Sequence, residues 1–376
     1  MSEILISAGE ASGDILGAKF IEEFIRLHPH VGFYGLGGDR MAERSCELLY
    51  HIRDLSILGF WEVVKNIGFI RAVQKKIMLS IESRKPVMAV LIDYPGFNLR
   101  LARILRRHGI KVFYYVSPQV WAWGKRRISD IRNNVDLMAV FFDFEKRIFD
   151  DAGIPAVCVG HPMLDHVKID HDRETFRKIL GVRPDQEIIG LFPGSRKQEI
   201  RLILPQMLIA AKKLTTAIGA GFFIGKAPSI ETSFYMDILK KEKGAAELFE
   251  GNGYDLMAHS RLNLICSGTA TLESAVLGTP MIIVYKTSAL TYFIARSLIK
   301  IPVIGLVNVV AGRKVVPELI QNRCTGAEMA EAAMQMLENE ARYEIVRRDL
   351  LEVKSRLGSP GASARAAEAA FGLLNP

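Results

Sequence analysis

Asp93 stands directly after the apolar run Val90-Leu91-Ile92 and opens the segment Asp93-Tyr94-Pro95-Gly96-Phe97-Asn98. A carboxylate at the carboxyl end of a buried strand loses part of its hydration, which raises its pKa and suits it to general-base work. The plainer alternative is a turn aspartate bonded to nearby backbone amides. Two other segments, Leu191-Phe192-Pro193-Gly194-Ser195-Arg196 and Cys266-Ser267-Gly268-Thr269-Ala270-Thr271-Leu272-Glu273, each follow an apolar run and lead into helical periodicity. A strand, a small-residue turn and a helix start leave unpaired N–H groups at the positive end of the helix dipole, where phosphate is the natural guest. On the first turn, next to Ser195, the Arg196 guanidinium can fork onto a diphosphate and stabilise charge growing on a leaving group. On the second, Ser267, Gly268, Thr269 and Ala270 offer hydroxyls and amides. Glu273, one helical turn on, can accept from ribose hydroxyls or be an exposed helix carboxylate. Two such turns in one half of the chain predict a diphosphate held between them, and so a nucleotide-activated substrate.

Ser7-Ala8-Gly9-Glu10-Ala11-Ser12-Gly13-Asp14 follows another strand-like run. It lacks the G-x-G-x-x-G fingerprint, and Glu10 and Asp14 put negative charge where a dinucleotide phosphate would lie. With Ser12 between them, these carboxylates suit sugar hydroxyls or capping of the helix that follows. Tyr114–Gly124 carries Ser117, Gln119, Trp121 and Trp123, aromatic faces beside polar groups that fit a sugar, an acyl chain or plain packing. Asp170-His171-Asp172 has D-x-D spacing but no flanking strand to stiffen it, and reads as a solvated turn. With no H-E-x-x-H, Cys/His cluster or Walker A loop, the sequence predicts no catalytic metal and no cofactor. In Ile57–Ile77, Phe60, Val63, Val64, Ile67, Ile70 and Val73 form a helical apolar stripe flanked by Lys65, Arg71, Lys75 and Lys76. Both an interfacial helix against anionic lipid and an ordinary core helix fit that pattern.

The elements that must position these residues alternate. Ile4–Ser7, Gly32–Leu36, Met88–Ile92, Lys111–Val116, Leu137–Phe142 and Val157–Val159 are short apolar runs fit for a parallel sheet covered on both faces. Amphipathic stretches at Asp14–Leu27, Phe97–His108 and Glu145–Asp151 lie between them. Asp165–Arg173 reads as a linker, after which Ile188–Phe192, Gly221–Ile224, Leu262–Cys266 and Met281–Tyr285 repeat the scheme. The fold class expected is α/β with two Rossmann-like domains, 1–168 and 169–345, facing a central cleft, then a C-terminal helical segment, 346–376. Whether that segment returns to the first domain is left open.

At 376 residues, 49% hydrophobic and 24% charged, the chain has the make-up of a globular protein rather than a disordered one. A net charge of +8 points to an acidic partner without choosing among phosphorylated substrate, anionic lipid and nucleic acid. Four scattered cysteines, Cys46, Cys158, Cys266 and Cys324, fit reduced thiols. Neither an export signal nor a spanning apolar run is evident. Basic residues are not interleaved with an aromatic platform, which argues against nucleic acid.

Taken in order, Ser7–Asp14, Gly37-Gly38 with Met41, Asp93 with Phe97-Asn98, Tyr115–Trp123, Gly160-His161, Pro193–Arg196 and Ser267–Glu273 resemble the lipid-A-disaccharide synthase family over essentially the whole chain. The resemblance implies a GT-B fold with the acceptor on the N-terminal half and the UDP-sugar donor on the C-terminal half. It implies transfer of 2,3-diacylglucosamine from UDP-2,3-diacylglucosamine to 2,3-diacylglucosamine 1-phosphate (lipid X), with inversion. Asp93 and Arg196 then take the catalytic roles. Glu10 orients the acceptor, Asn98 of the Asp93 motif binds substrate and Asn308 touches the donor. The family's cytoplasmic, peripheral place at the inner membrane of Gram-negative bacteria implies lipid contact through Phe60, Trp61, Val64 and Ile67, and leaves room for a homodimer. A UDP-sugar epimerase or hydrolase on the same fold is the main rival.

Overall fold

The computed structural model describes residues 2–56, 67–121, 127–242, 245–288 and 303–374. The chain divides into two compact units, one of Met1–Asp165 with Gly358–Pro376 and one of His166–Leu357. The partition differs from the expected domains at the C-terminal end, because residues 346–357 stay with the second unit.

The first unit is built on strands β1 (Ser2–Ala8), β2 (Val31–Gly37), β3 (Cys46–His51), β4 (Met88–Ile92), β5 (Lys111–Tyr115), β6 (Leu137–Val140) and β7 (Ala156–Cys158). They pair in parallel in the order β3-β2-β1-β4-β5-β6-β7. Side chains on a strand alternate faces, and here both faces are covered. Leu5, Leu91, Val112 and Tyr114 pack with Val73, Ile77 and Ile81 of the helix Ile67–Arg84 and Leu101 and Leu105 of the helix Pro95–Arg107. Ile4, Ile6, Val90, Ile92, Phe113 and Tyr115 pack with Phe20 and Phe24 of the helix Ala11–Leu27. Ala366, Ala367 and Ala370 of the final helix, Ala362–Leu374, join that second layer, their small side chains letting it lie close to Ala11–Leu27. The return is pinned by Lys111 Nζ donating to Leu373 O at 2.7 Å and Arg365 Nε donating to Val159 O at 2.9 Å.

The second unit repeats the plan with β8 (Ile188–Phe192), β9 (Gly221–Gly225), β10 (Glu247–Phe249), β11 (Leu262–Cys266), β12 (Met281–Tyr285) and β13 (Glu318–Ile320), in the order β10-β9-β8-β11-β12-β13. β3, β10 and β13 went unread in the sequence. All three are edge strands: Cys46–His51 is interrupted by Glu47 and ends in His51, and the other two are three residues long and open with a glutamate. Among the described residues, no helix is long and apolar enough to cross a membrane.

Candidate functional site

In an open parallel sheet, ligands collect beyond the carboxyl ends of the strands where the order reverses. That point falls between β1 and β4 in the first unit and between β8 and β11 in the second. The residues that follow these four strands are the motifs singled out above.

At the first switch point, Asp93 and Tyr94 both have left-handed backbones, with φ of 45° and 48°, and Val116, after β5, has φ of 72°. Such conformations are costly for residues with a Cβ and persist only where neighbours over-determine them. Here they do. Asp93 N donates to Tyr115 O at 2.9 Å, and Asp93 O accepts from Tyr114 Oη at 2.7 Å and Asn98 Nδ2 at 2.8 Å. Asn98 is fully buried, also donating to Ile92 O and accepting from Ser7 Oγ at 2.7 Å. Its role is to hold the Asp93 turn, which corrects the expectation of a direct substrate contact. Burial, and secondarily the negative charge of Glu10, push the Asp93 carboxyl above the usual aspartate range. The ring of Tyr94 lies over Gly9, where an added Cβ would come within 2.3 Å of it, so only glycine fits there.

Glu10 is exposed at the N-cap of Ala11–Leu27, without a side-chain capping bond, and Ser12 is exposed on the first turn. Glu10, Gly9 and Tyr94 line a cavity of about 620 Å³ whose other wall includes Asp39, Arg40, His51 and Arg53. Asp14 also borders it, but its carboxylate is buried and accepts from the amides of Gly38 (2.7 Å), Arg40 and Met41 (both 3.1 Å). Asp14 therefore shapes the wall, which corrects its reading as a sugar ligand. Beyond β5, buried Ser117 donates to Glu145 Oε1 at 2.9 Å, and Trp121 Nε1 does so at 3.2 Å. Glu145 Oε2 takes the amides of Phe141 and Phe142, so this buried carboxylate ties Ser117 and Trp121 to the start of the helix Asp143–Asp151. Burial raises its pKa against those four stabilising bonds. Trp121 presents its ring edge-on to Phe144, and Gln119 is exposed. Trp123, Phe60, Trp61 and Val64 lie outside the described residues, as does the side chain of Ile67.

At the second switch point Gly194 has φ of 122°, and an added Cβ would meet Glu199 Oε2 at 2.6 Å. The amides of Ser195 and Arg196 donate to that same oxygen at 3.2 and 3.3 Å. The sequence reading of this turn as a set of open amides is corrected accordingly: Glu199 already occupies them. Arg196 itself, the N-cap of Lys197–Ile218, holds an exposed guanidinium with Nη1 3.0 Å from Glu199 Oε1. On the neighbouring turn, Ser267 N donates to Val284 O, and Gly268 and Thr269 are exposed ahead of the helix Ala270–Leu277. Its chain neighbours aside, no atom of the described residues lies within 4 Å of where a Cβ on Gly268 would be, so a ligand can approach this backbone closely. Glu273 is half-buried, and that burial raises its pKa. Asn308 is fully buried. Its Oδ1 accepts from Val315 N (2.8 Å) and Val316 N (3.1 Å), and its Nδ2 donates to Val316 O and Glu318 Oε1. It is a brace beneath the turn, not an exposed donor contact, and Glu318 completes it by accepting from Ile304 N and Gly305 N.

Glu145, Glu199 and Glu318, the carboxylates that hold the loops, carried no motif in the sequence. A capping-box offset, Glu145 and Glu199 each three residues after an N-cap, was the signal available for two of them. Asp172 caps the helix Arg173–Ile179 by accepting from Thr175 N, and Asp170 and His171 are tied to Asp255. Among the described residues no group of three or more His, Cys, Asp or Glu is gathered as a metal site would require.

Paired Rossmann-order units with chemistry at each switch point are the architecture of GT-B glycosyltransferases. The chain aligns with CalG4, the calicheamicin glycosyltransferase, at TM-score 0.63 and 14% identity, covering 100% of both chains. It aligns with the UDP-GlcNAc 2-epimerase of Neisseria meningitidis at TM-score 0.61 and 15% identity, covering 98% of this chain and 100% of that one. At such identities the likeness concerns the fold. A family model described as lipid-A-disaccharide synthetase matches residues 4–370. Lipid-A-disaccharide synthase of Syntrophus aciditrophicus is 40% identical over 99% of this chain and 97% of its own length. That of Geobacter sulfurreducens is 40% identical over 97% and 95%. The chain belongs to the lipid-A-disaccharide synthase family, and is a glycosyltransferase of lipid A biosynthesis.

Proposed function

We propose that the chain transfers 2,3-diacylglucosamine from UDP-2,3-diacylglucosamine to 2,3-diacylglucosamine 1-phosphate, releasing UDP and inverting the anomeric centre. The observation that carries the reading is Asp93, a partly desolvated carboxylate with raised pKa on a strained turn at a switch point. Asp93 accepts the proton of the acceptor 6-hydroxyl as that oxygen attacks the anomeric carbon. The C–O bond to the diphosphate breaks in the same displacement, through an oxocarbenium-like transition state. A base whose pKa lies above that of an ordinary aspartate takes the proton more readily.

The second unit receives the charge that leaves. Arg196 and the amides of Gly268, Thr269 and Ala270 stabilise the negative charge growing on the diphosphate, contacts that strengthen in the transition state. Glu199 holds the Arg196 turn in shape, and Glu273 accepts from the ribose. Glu10 steers the acceptor and adds to the burial that holds the Asp93 pKa up. Exposed Gln119 and the rim of Trp121 extend the acceptor side, and the surface of an anionic membrane supplies both lipid substrates, with the segment around Phe60, Trp61, Val64 and Ile67 as its contact.

The test is a transfer assay with UDP-2,3-diacylglucosamine, with and without lipid X. A β-linked disaccharide phosphate and UDP should form only when both are present. UDP released at the same rate from donor alone would favour a hydrolase or epimerase.

A further inference from the structure

The cavity beside Glu10 is polarised, and the strand order explains why. Along the carboxyl edge of the first sheet the order is β3-β2-β1-β4. Asp93 follows β4 and Glu10 comes two residues after β1. Asp39 and Arg40 follow β2, while His51 ends β3 and Arg53 comes two residues later. Adjacent strands lie about 4.8 Å apart, so Asp93 sits two to three spacings, roughly 10–15 Å, from the strands that carry the two arginines, and Glu10 sits one to two spacings from them. Arg40 and Arg53 line the same cavity as Glu10.

The basic end is built, not incidental. Asp39 Oδ1 faces His51 Nε2 at 3.2 Å, and Asp39 Oδ2 accepts from Arg53 Nη2. His51 Nδ1 accepts from Arg53 N at 3.0 Å, which places the imidazole proton on Nε2, toward Asp39. The array holds one guanidinium in a set direction. Arg40 pairs with Glu43 at 3.7 Å, both side chains well exposed, a weak hold that a better anion displaces. Asp14 does not compete, since three backbone amides already occupy its carboxylate.

We propose that Arg40 and Arg53, the latter oriented by Asp39, form a subsite for a phosphate monoester on the acceptor. Holding that phosphate at the β2–β3 end directs the opposite end of the sugar toward Glu10 and Asp93, so the subsite selects both the acceptor and the hydroxyl that reacts. The inference rests on the acceptor reading given above and names its anchoring residues.

The test compares lipid X with its dephosphorylated counterpart as acceptors for the wild type, Arg53→Ala, Arg53→Lys and the double variant Arg40→Ala/Arg53→Ala. A charge-assisted fork to phosphate supports about a tenfold preference or more in kcat/KM. The double variant should bring the preference close to one, chiefly through the acceptor KM, with Arg53→Lys in between. A double variant that keeps the wild-type preference overturns the proposal, provided its UDP affinity shows that it is folded. Binding of glucosamine 1-phosphate by calorimetry needs no turnover: the wild type should bind it and the double variant should lose at least most of that affinity. Equal binding by both, or none by the wild type, also overturns the subsite. Turnover of donor with transfer to neither acceptor would sink the transferase reading while leaving the calorimetric result to judge the subsite alone.

Discussion

The two switch points share a topology and have opposite chemistry. At β1/β4 the turns carry carboxylates, two consecutive left-handed residues and a raised Asp93 pKa. At β8/β11 they carry glycines, hydroxyls and an exposed guanidinium. Strand order decides where a site forms. In the proposed mechanism, the residues just past each strand decide whether it takes a proton or receives negative charge. The restraints differ as well. Asp93 is held through its own backbone by Asn98 and Tyr114, whereas the Arg196 turn is held by a carboxylate, Glu199, that fills the amides a ligand would otherwise use.

Replacing the two chemical groups should break the comparison most sharply. Asp93→Asn removes the base and keeps the turn, so kcat should fall by about a hundredfold or more while UDP affinity is unchanged. Retained turnover would remove Asp93 from the role. Arg196→Ala should lower kcat by about a hundredfold and weaken UDP binding too, with the melting temperature little altered because the side chain is exposed. A loss confined to acceptor KM would place Arg196 on the wrong substrate.

Smaller effects sharpen the contrast between a site residue and a brace. Asn308→Ala leaves Val315 N and Val316 N without their buried acceptor, at a cost of about 2–4 kcal/mol, read as a lower unfolding midpoint. A normal midpoint with raised donor KM would instead return Asn308 to the ligand. Glu10→Gln tests the electrostatics of the first switch point. The base must be ionised, so activity rises with pH through the Asp93 pKa, and that limb should lie above the ordinary aspartate value of about 3.9. Burial is the larger cause and stays in the variant. Removing the Glu10 charge should move the limb to lower pH by well under the whole displacement, and a limb that stays put would show that Glu10 does not face Asp93.

Much of this was legible because strand–turn–helix signals are local. The apolar runs of the central strands, and the small residues after β8 and β11, announce themselves without tertiary information. Orientation does not. Asp14, Asn98 and Asn308 were read as ligands from their motifs, yet each side chain turns inward to backbone or side-chain groups of the protein itself, and only the fold shows those partners. The same holds for Glu145, Glu199 and Glu318, ordinary helix or edge-strand glutamates until the loops close over them. Edge strands β3, β10 and β13 are short or half-polar, so they lacked the pattern by which the buried strands were found.

The most direct test is a crystal structure with UDP bound. The diphosphate should lie on the Arg196 guanidinium and the Gly268–Ala270 amides of the second unit. A diphosphate lodged instead against Arg40 and Arg53 of the first unit, with Arg196 untouched, would contradict it.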